Sequence, residues 1–298
     1  MAAANSINVS VEVARRVCLQ SFFLGAGLLI VPFIHIFTIG FVQIPEFRHG
    51  LIGGLSYVAV VAAIVLVRYK GYSLKIATRA CFLGFVFSFG IIISAFAAAN
   101  WTVFGWYLCI LSFFHFSEYF CTSLYHPRSL TLDSFLLNHS KAYHVAAMAS
   151  WTEFILETLI FPSLKQIQWL SLVGLTICLF GEVLRKLAMF TAGTSFNHMI
   201  QSRRNPDHVL VTHGIYAWCR HPSYVGWFWW SVATQLLLCN PICLVAYTVA
   251  SWQFFNERIE DEEILLLNFF GEEYIDYQKK VGTGLPWIRG YTIRSFGI

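Results

Sequence analysis

Apolar runs long enough to cross a bilayer, roughly 17 to 25 residues, recur along the chain from Val17 onward and are separated by short polar connectors. The pattern predicts eight helices, at about 14–41, 51–68, 78–99, 101–120, 135–161, 167–198, 223–239 and 241–266. Only Cys239-Asn240-Pro241 separates the last two. A proline has no N–H with which to continue a helix, so this tripeptide predicts a reversal between antiparallel spans. Pro32 and His35, inside the first run, are read as a kink and a locally satisfied imidazole.

Composition sharpens that picture. The 298 residues are 57% hydrophobic and 12% charged, with a mean hydropathy of +0.62, whereas soluble domains carry about 25% charge. Such a surface could not be solvated, so the fold class is an all-α polytopic membrane protein. All but two of the 20 lysines and arginines fall in connectors on one side of the membrane; Arg48 and Lys165 hold the other side. With eight spans, this bias places both termini and the basic connectors in the cytosol. The net charge of +4 reflects the same bias, since the basic residues are dispersed and no nucleic-acid motif accompanies them. The eight cysteines lie mostly in apolar runs without C-x-x-C spacing and read as reduced core residues. The first run is long and is followed by no evident small-residue cleavage site, so it reads as a retained span rather than a signal peptide.

The first five predicted spans, residues 1–161, are poor in ionisable groups and read as a transmembrane scaffold. Exceptions are Glu118 with His115, and Glu153 with Glu157. A carboxylate within hydrocarbon is costly and must face other helices, water or an interface; Pro162 and Lys165 nearby suggest a span end, so Glu153 and Glu157 are expected at the interface. Residues 162–298 form the second division, a catalytic region of three helices with polar segments on the cytosolic side. Residues 191–224 concentrate polar, aromatic and imidazole side chains, and Asn256 to Glu263 form a second polar block. The intervening helical hairpin returns the chain to the same face, which brings the two blocks together.

Within the first block, Arg220-His221-Pro222-Ser223-Tyr224-x-Gly226 opens the seventh span. Proline suits an early helical position, and the free N–H groups of a helix start bind anions, so the carboxylate of a cofactor would fit there. His208-Val209-Leu210-Val211 reads as an extended segment able to line a groove with backbone donors and acceptors. Singly, Tyr216 and Tyr224 could be interfacial aromatics and His221 a helix cap. His208, His213 and His221 are spaced five and eight apart, which fits no familiar zinc pattern, and no metal is expected. In the second block Arg258 and Glu262 share a helical face one turn apart. They form either a surface ion pair or a functional pair in which the planar guanidinium grips a carboxylate.

Several ordered elements resemble the isoprenylcysteine carboxyl methyltransferase family: Ala192-Gly193-x-x-Phe196-Asn197-His198, Leu210-Val211-Thr212-x-Gly214-x-Tyr216, Arg220-His221-Pro222-Ser223-Tyr224-Val225-Gly226, Arg258 through Glu263, and Phe270-Gly271-Glu272-Glu273-Tyr274 with Tyr277. The resemblance covers residues 190–290 closely. It implies methyl transfer from S-adenosylmethionine, with S-adenosylhomocysteine as product, to the C-terminal carboxylate of prenylated CaaX proteins such as small GTPases, in the endoplasmic reticulum membrane. By the same resemblance Gln201, His208, Val209, Leu210, Val211, Tyr216, His221, Pro222, Ser223, Tyr224 and Glu262 would contact the cofactor. Arg258 would hold the substrate carboxylate, and Arg258 and Glu262 would be the catalytic pair. Gly282 stands where the family usually has a proline, which puts the local turn in question.

The chemistry agrees with the inventory. A carboxylate ionised at pH 7 needs no strong general base, only placement and exclusion of water, and no catalytic dyad is evident. A prenyl chain partitions into lipid, which accounts for a membrane enzyme. A related sterol reductase or phospholipid methyltransferase would share the R-H-P-x-Y-x-G pattern, but a reductase would need basic residues for a nicotinamide phosphate, and Arg258 is followed by Glu260 to Glu263. A transporter would show repeated halves or paired broken helices, whereas the polar groups here gather at one face.

Overall fold

A computed structural model of the chain describes residues 9–32, 47–138, 140–204 and 208–292. Among them regular structure is helical throughout: α1 (Val11–Ala26), α2 (Phe47–Arg68), α3 (Gly71–Phe96), α4 (Thr102–Tyr125), α5 (Lys141–Ile160), α6 (Gln168–Ala192), α7 (Pro222–Leu237), α8 (Pro241–Phe270) and α9 (Glu272–Lys280). By length and composition three stretches of the described residues are apolar enough to cross a membrane: Val11–Pro32, Gly50–Arg68 and Gly71–Phe96. Helix α1 continues through a tight turn at Gly27–Leu29 to Pro32; His35 lies outside the described residues.

Two glycines fix boundaries that apolar periodicity does not show. Gly193 (φ +51°) ends α6 at Ala192, and Gly271 (φ +53°) separates α8 from α9. Left-handed backbone of this kind favours a residue without Cβ. Helix α9 is too polar to register as a membrane run.

The chain forms two compact units, one of Met1–Leu124 with Leu130–Lys141 and one of Tyr125–Ser129 with Ala142–Ile298. In the first, α1 and α3 touch backbone to backbone. A Cβ added to Gly84 would lie 2.8 Å from the Ala26 nitrogen, and one on Gly25 would lie 2.8 Å from that of Phe85. Small residues permit this approach where lipid offers no hydrophobic drive for helix association. His115 and Glu118 are buried, and His115 Nδ1 lies 2.8 Å from the Phe135 carbonyl. None of the eight cysteines is in a disulfide.

In the second unit, α6 presents Ser171, Gly174, Cys178, Gly181, Arg185 and Ala188, all buried, at the three- and four-residue spacing of one helical face. That face carries the contact with α7: a Cβ on Gly181 would lie 2.5 Å from the Gly226 carbonyl oxygen, and one on Gly226 would lie 2.6 Å from that of Gly181. At the far end of the α7–α8 hairpin, both Glu153 oxygens accept N–H groups at the start of α8, from Ile242 and Cys243, each at 2.7 Å. Lys165 is fully buried. Its Nζ lies 2.6 Å from Glu157 Oε2, 3.0 Å from the Leu238 carbonyl, 2.9 Å from that of Cys239 and 2.8 Å from Asn240 Oδ1. Glu153 is thus a buried helix cap at the turn between α7 and α8, because the turn at Pro241 leaves N–H groups that need an acceptor.

Candidate active site

The site is built where α7 begins and α8 passes its last turns. Pro222 occupies the first turn of α7, where its missing N–H costs nothing and its fixed φ suits the helix. The segment before it is pinned by the chain's end: Arg220 N donates to the Gly282 carbonyl at 2.8 Å and His221 N to that of Thr283 at 3.2 Å. The turn at Gly214–Ala217 is held from α9, since Tyr277 Oη donates to the Tyr216 carbonyl at 2.6 Å.

These elements frame a cleft open to solvent, with a cavity of about 100 Å³ between them. One wall is His208 to Val211 with Tyr216; another is Arg220 to Tyr224; Glu262, Leu266 and Phe270 close a third side, and Ser195, Phe196 and Asn197 a fourth. Ten of the eleven cofactor contacts expected from the sequence line this space. The eleventh, Gln201, does not; its Nε2 donates to the Met199 carbonyl at 3.1 Å. His213 is also absent from the lining, so the three spaced histidines do not converge.

Arg258 and Glu262 make no direct ion pair, because the Tyr224 hydroxyl stands between them. Tyr224 Oη donates to Glu262 Oε2 at 2.5 Å and accepts from Arg258 Nε at 3.0 Å. Arg258 Nη2 donates to the His198 carbonyl at 2.5 Å, and the guanidinium carbon lies 5.5 Å from the Tyr224 ring centre and 5.9 Å from that of Phe254. A planar cation fixed at two donors and two ring faces has little freedom left. Arg258 does not line the pocket; it is joined to it through Tyr224.

Sequence reasoning passed over the residue that organises the site. Glu263 is fully buried. Its Oε1 accepts from Arg220 Nε at 2.7 Å and Tyr274 Oη at 3.1 Å and lies 3.0 Å from His221 Nε2. Its Oε2 accepts from Gln278 Nε2 at 3.0 Å and the Tyr291 N–H at 2.9 Å. Arg220 goes on to the carbonyls of Val281 and Arg289. Gly290 sits against this carboxylate, in space that a Cβ would need. A signal was present in the sequence: Glu263 falls on the four-residue stripe Phe255, Ile259, Glu263, Leu267, all buried, and a carboxylate on an otherwise apolar face must have partners.

His208 and Tyr216 are among the groups at the pocket with shifted acidities. Burial, and then the Arg204 guanidinium, hold His208 below its ordinary 6.5, with Glu262 pulling the other way. Burial and the nearby Glu262 push the Tyr216 hydroxyl up, so it stays a neutral donor.

Among the described residues, fold and pocket together define an all-helical membrane enzyme whose motif side chains at the start of α7 and the last turns of α8 line one cleft. Residues 172–268 match the sequence profile of the isoprenylcysteine carboxyl methyltransferase family. The chain is 54% identical to protein-S-isoprenylcysteine O-methyltransferase of Rattus norvegicus over 93% of its length and 94% of that protein's. It is 53% identical to the Homo sapiens protein of that name, with the same coverage. A solved structure of a eukaryotic intramembrane Ras methyltransferase, an isoprenylcysteine carboxyl methyltransferase, superposes with a TM-score of 0.88 at 46% identity, covering 94% of this chain and 99% of that one. The chain belongs to the isoprenylcysteine carboxyl methyltransferase family.

Proposed function

We propose that this chain methylates the C-terminal α-carboxylate of prenylated cysteine in processed CaaX proteins, small GTPases among them, at the cytosolic face of the endoplasmic reticulum membrane. The observation that carries the reading is the joining of Arg258, through the Tyr224 hydroxyl, to a pocket walled by His221 to Tyr224 and Glu262.

S-adenosylmethionine suits that pocket. The lining offers aromatic faces at Phe196, Tyr216 and Phe270 for an adenine, exposed backbone at His208 to Val211, the start of α7 for a carboxylate, and the Glu262 carboxylate for hydroxyl or ammonium groups. Bound there, it supplies a sulfonium methyl, whose C–S bond breaks as the C–O bond of the ester forms, leaving a neutral thioether. Gln201 would reach the cofactor by turning from the Met199 carbonyl.

Arg258 orients the nucleophile. Its Nε and Nη2 are engaged by Tyr224 and His198, and Nη1 has no partner among the described residues, so the end of the fork is left for an incoming carboxylate. That carboxylate is ionised at neutral pH, and the protein's task is placement and water exclusion. Residues 162–298 act as the catalytic region and residues 1–161 as the transmembrane scaffold. Eight spans with both termini cytosolic put the pocket on the side from which a polar cofactor arrives, while lipid delivers the prenyl tail.

The test is transfer of a radiolabelled methyl group by purified protein to N-acetyl-farnesylcysteine. A base-labile methyl ester is the expected product; none from a preparation shown to be folded overturns the reading.

A further inference from the structure

Arg185 lies 38 residues before Ser223 and does not line the pocket, yet the fold delivers it to the pocket's back wall. It sits on the buried face of α6, one turn after Gly181 and 2% exposed. The Gly181–Gly226 contact draws its stem against α7: a Cβ on Gly226 would lie 2.8 Å from the Arg185 nitrogen and 3.1 Å from its Cβ. From there the guanidinium carbon stands 4.7 Å from the Trp227 ring centre, and Nη1 donates to Ser223 Oγ at 2.8 Å.

The direction of that bond matters. A guanidinium has only donors, so Ser223 Oγ is the acceptor and its hydrogen must point elsewhere. Ser223 is 6% exposed and lines the pocket. Neither its hydroxyl hydrogen nor its backbone N–H, an unpaired group of the first helical turn, has an acceptor among the described residues. A serine free to rotate could accept or donate. With one lone pair taken by Arg185 and its hydrogen turned away from that cation, the hydroxyl is biased toward donating, so Ser223 presents two donors side by side at the positive end of a helix, matched to the two oxygens of a carboxylate.

We propose that Arg185 is a positioning residue that biases the Ser223 hydroxyl toward donating to the carboxylate of the cofactor's amino-acid end. The inference rests on the methyltransferase reading above and deepens it by adding a residue outside the pocket to the wall that receives the cofactor's carboxylate. Arg185 acts through Ser223 and touches neither the transferred methyl nor the substrate. Lysine at this position would keep a donor but lose the planar contact with Trp227, whereas methionine keeps only the stem.

The experiment is titration calorimetry of detergent-solubilised full-length protein with two ligands, S-adenosylhomocysteine and the same thioether nucleoside lacking the α-carboxylate. Arg185→Met is expected to weaken the first by about 10- to 100-fold, the range for a hydrogen bond to a charged group, and to leave the second within about twofold. Arg185→Lys recovers part of the loss. Ser223→Ala, which keeps the arginine, shows the same selectivity and carries the test where Arg185→Met fails to fold. Equal losses for both ligands, or no loss, overturn the inference while the wild type still binds. A wild type that binds neither nucleoside overturns the methyltransferase reading and this inference with it.

Discussion

Tyr224 donates its hydroxyl to Glu262 across 38 residues of sequence, at 2.5 Å, and the same oxygen receives Arg258. One phenol thereby ties the end of the pocket that would hold the cofactor to the cation that would hold the substrate. Tyr224→Phe keeps the ring beneath Arg258 and removes only that tie. Hydrogen bonds to charged groups contribute about 1.5–3 kcal/mol, so kcat/KM is expected to fall about 10- to 100-fold with little change in melting temperature. Steady-state methylation kinetics check this; a change under twofold contradicts it.

Arg258→Ala is expected to abolish turnover while S-adenosylhomocysteine still binds. Arg258→Lys should do nearly as badly, because an ammonium cannot reproduce the fork that spans Tyr224, His198 and an incoming carboxylate. Turnover and calorimetry on one preparation separate the two effects, and normal turnover by either variant removes the assigned role.

The adjacent glutamates should part company under substitution. Glu263→Gln places an amide among donors and strands the buried Arg220, and breaking a buried pair costs about 3–5 kcal/mol. Its expected signature is a large drop in the thermal unfolding midpoint. The partly exposed Glu262 should lose activity as Gln with a stability change of about 1 kcal/mol or less. Similar unfolding curves for the two variants would refute this division.

Helix placement was legible because apolar runs and the Asn240-Pro241 turn announce themselves locally. The segments that form the pocket were legible through the motif residues at 208–224 and 258–263. What stayed hidden depends on three-dimensional contact: Glu263 rather than Glu262 as the hub, the buried partners of Arg185 and Lys165, and α9 beyond Gly271. Each is a charged or polar residue whose role depends on acceptors or donors contributed from elsewhere in the chain. Periodicity shows that such a residue lies on a buried face, but it does not show what that residue meets there.

His208 gives the site an acid limit with a definite sign. Its folded-state pKa is depressed below 6.5, so the folded protein binds fewer protons than the unfolded chain in that interval. Stability is complete above about pH 6.5 and is lost as pH falls from there through the depressed value. His208→Gln removes that loss. The variant's melting temperature minus the wild type's is therefore expected to rise between pH 7.5 and pH 5.5; a flat or falling difference rules it out.

Gly282, where the family resemblance leads to the expectation of a proline, should accept that residue. Val281 is extended, at φ −129° and ψ 130°, as the position before proline requires. Gly282 uses its carbonyl to hold Arg220, while its N–H has no acceptor among the described residues, and an added Cβ would meet nothing within 4 Å. Gly282→Pro is expected to be neutral or to stabilise by about 0.4–1 kcal/mol through a less disordered unfolded chain, read as a raised unfolding midpoint. A clear fall would show that the turn needs the glycine.

The charges at the hairpin's remote end lead to a different kind of consequence. A carboxylate at the start of α8 and an ammonium at the end of α7 each oppose the dipole of the helix they cap. Electrically, the two-helix unit is therefore terminated at that end. The first turn of α7, at that helix's opposite end, keeps its positive pole for whatever the pocket holds. Helix α7 has in effect a live pole and an earthed one, and the pocket is built on the live pole.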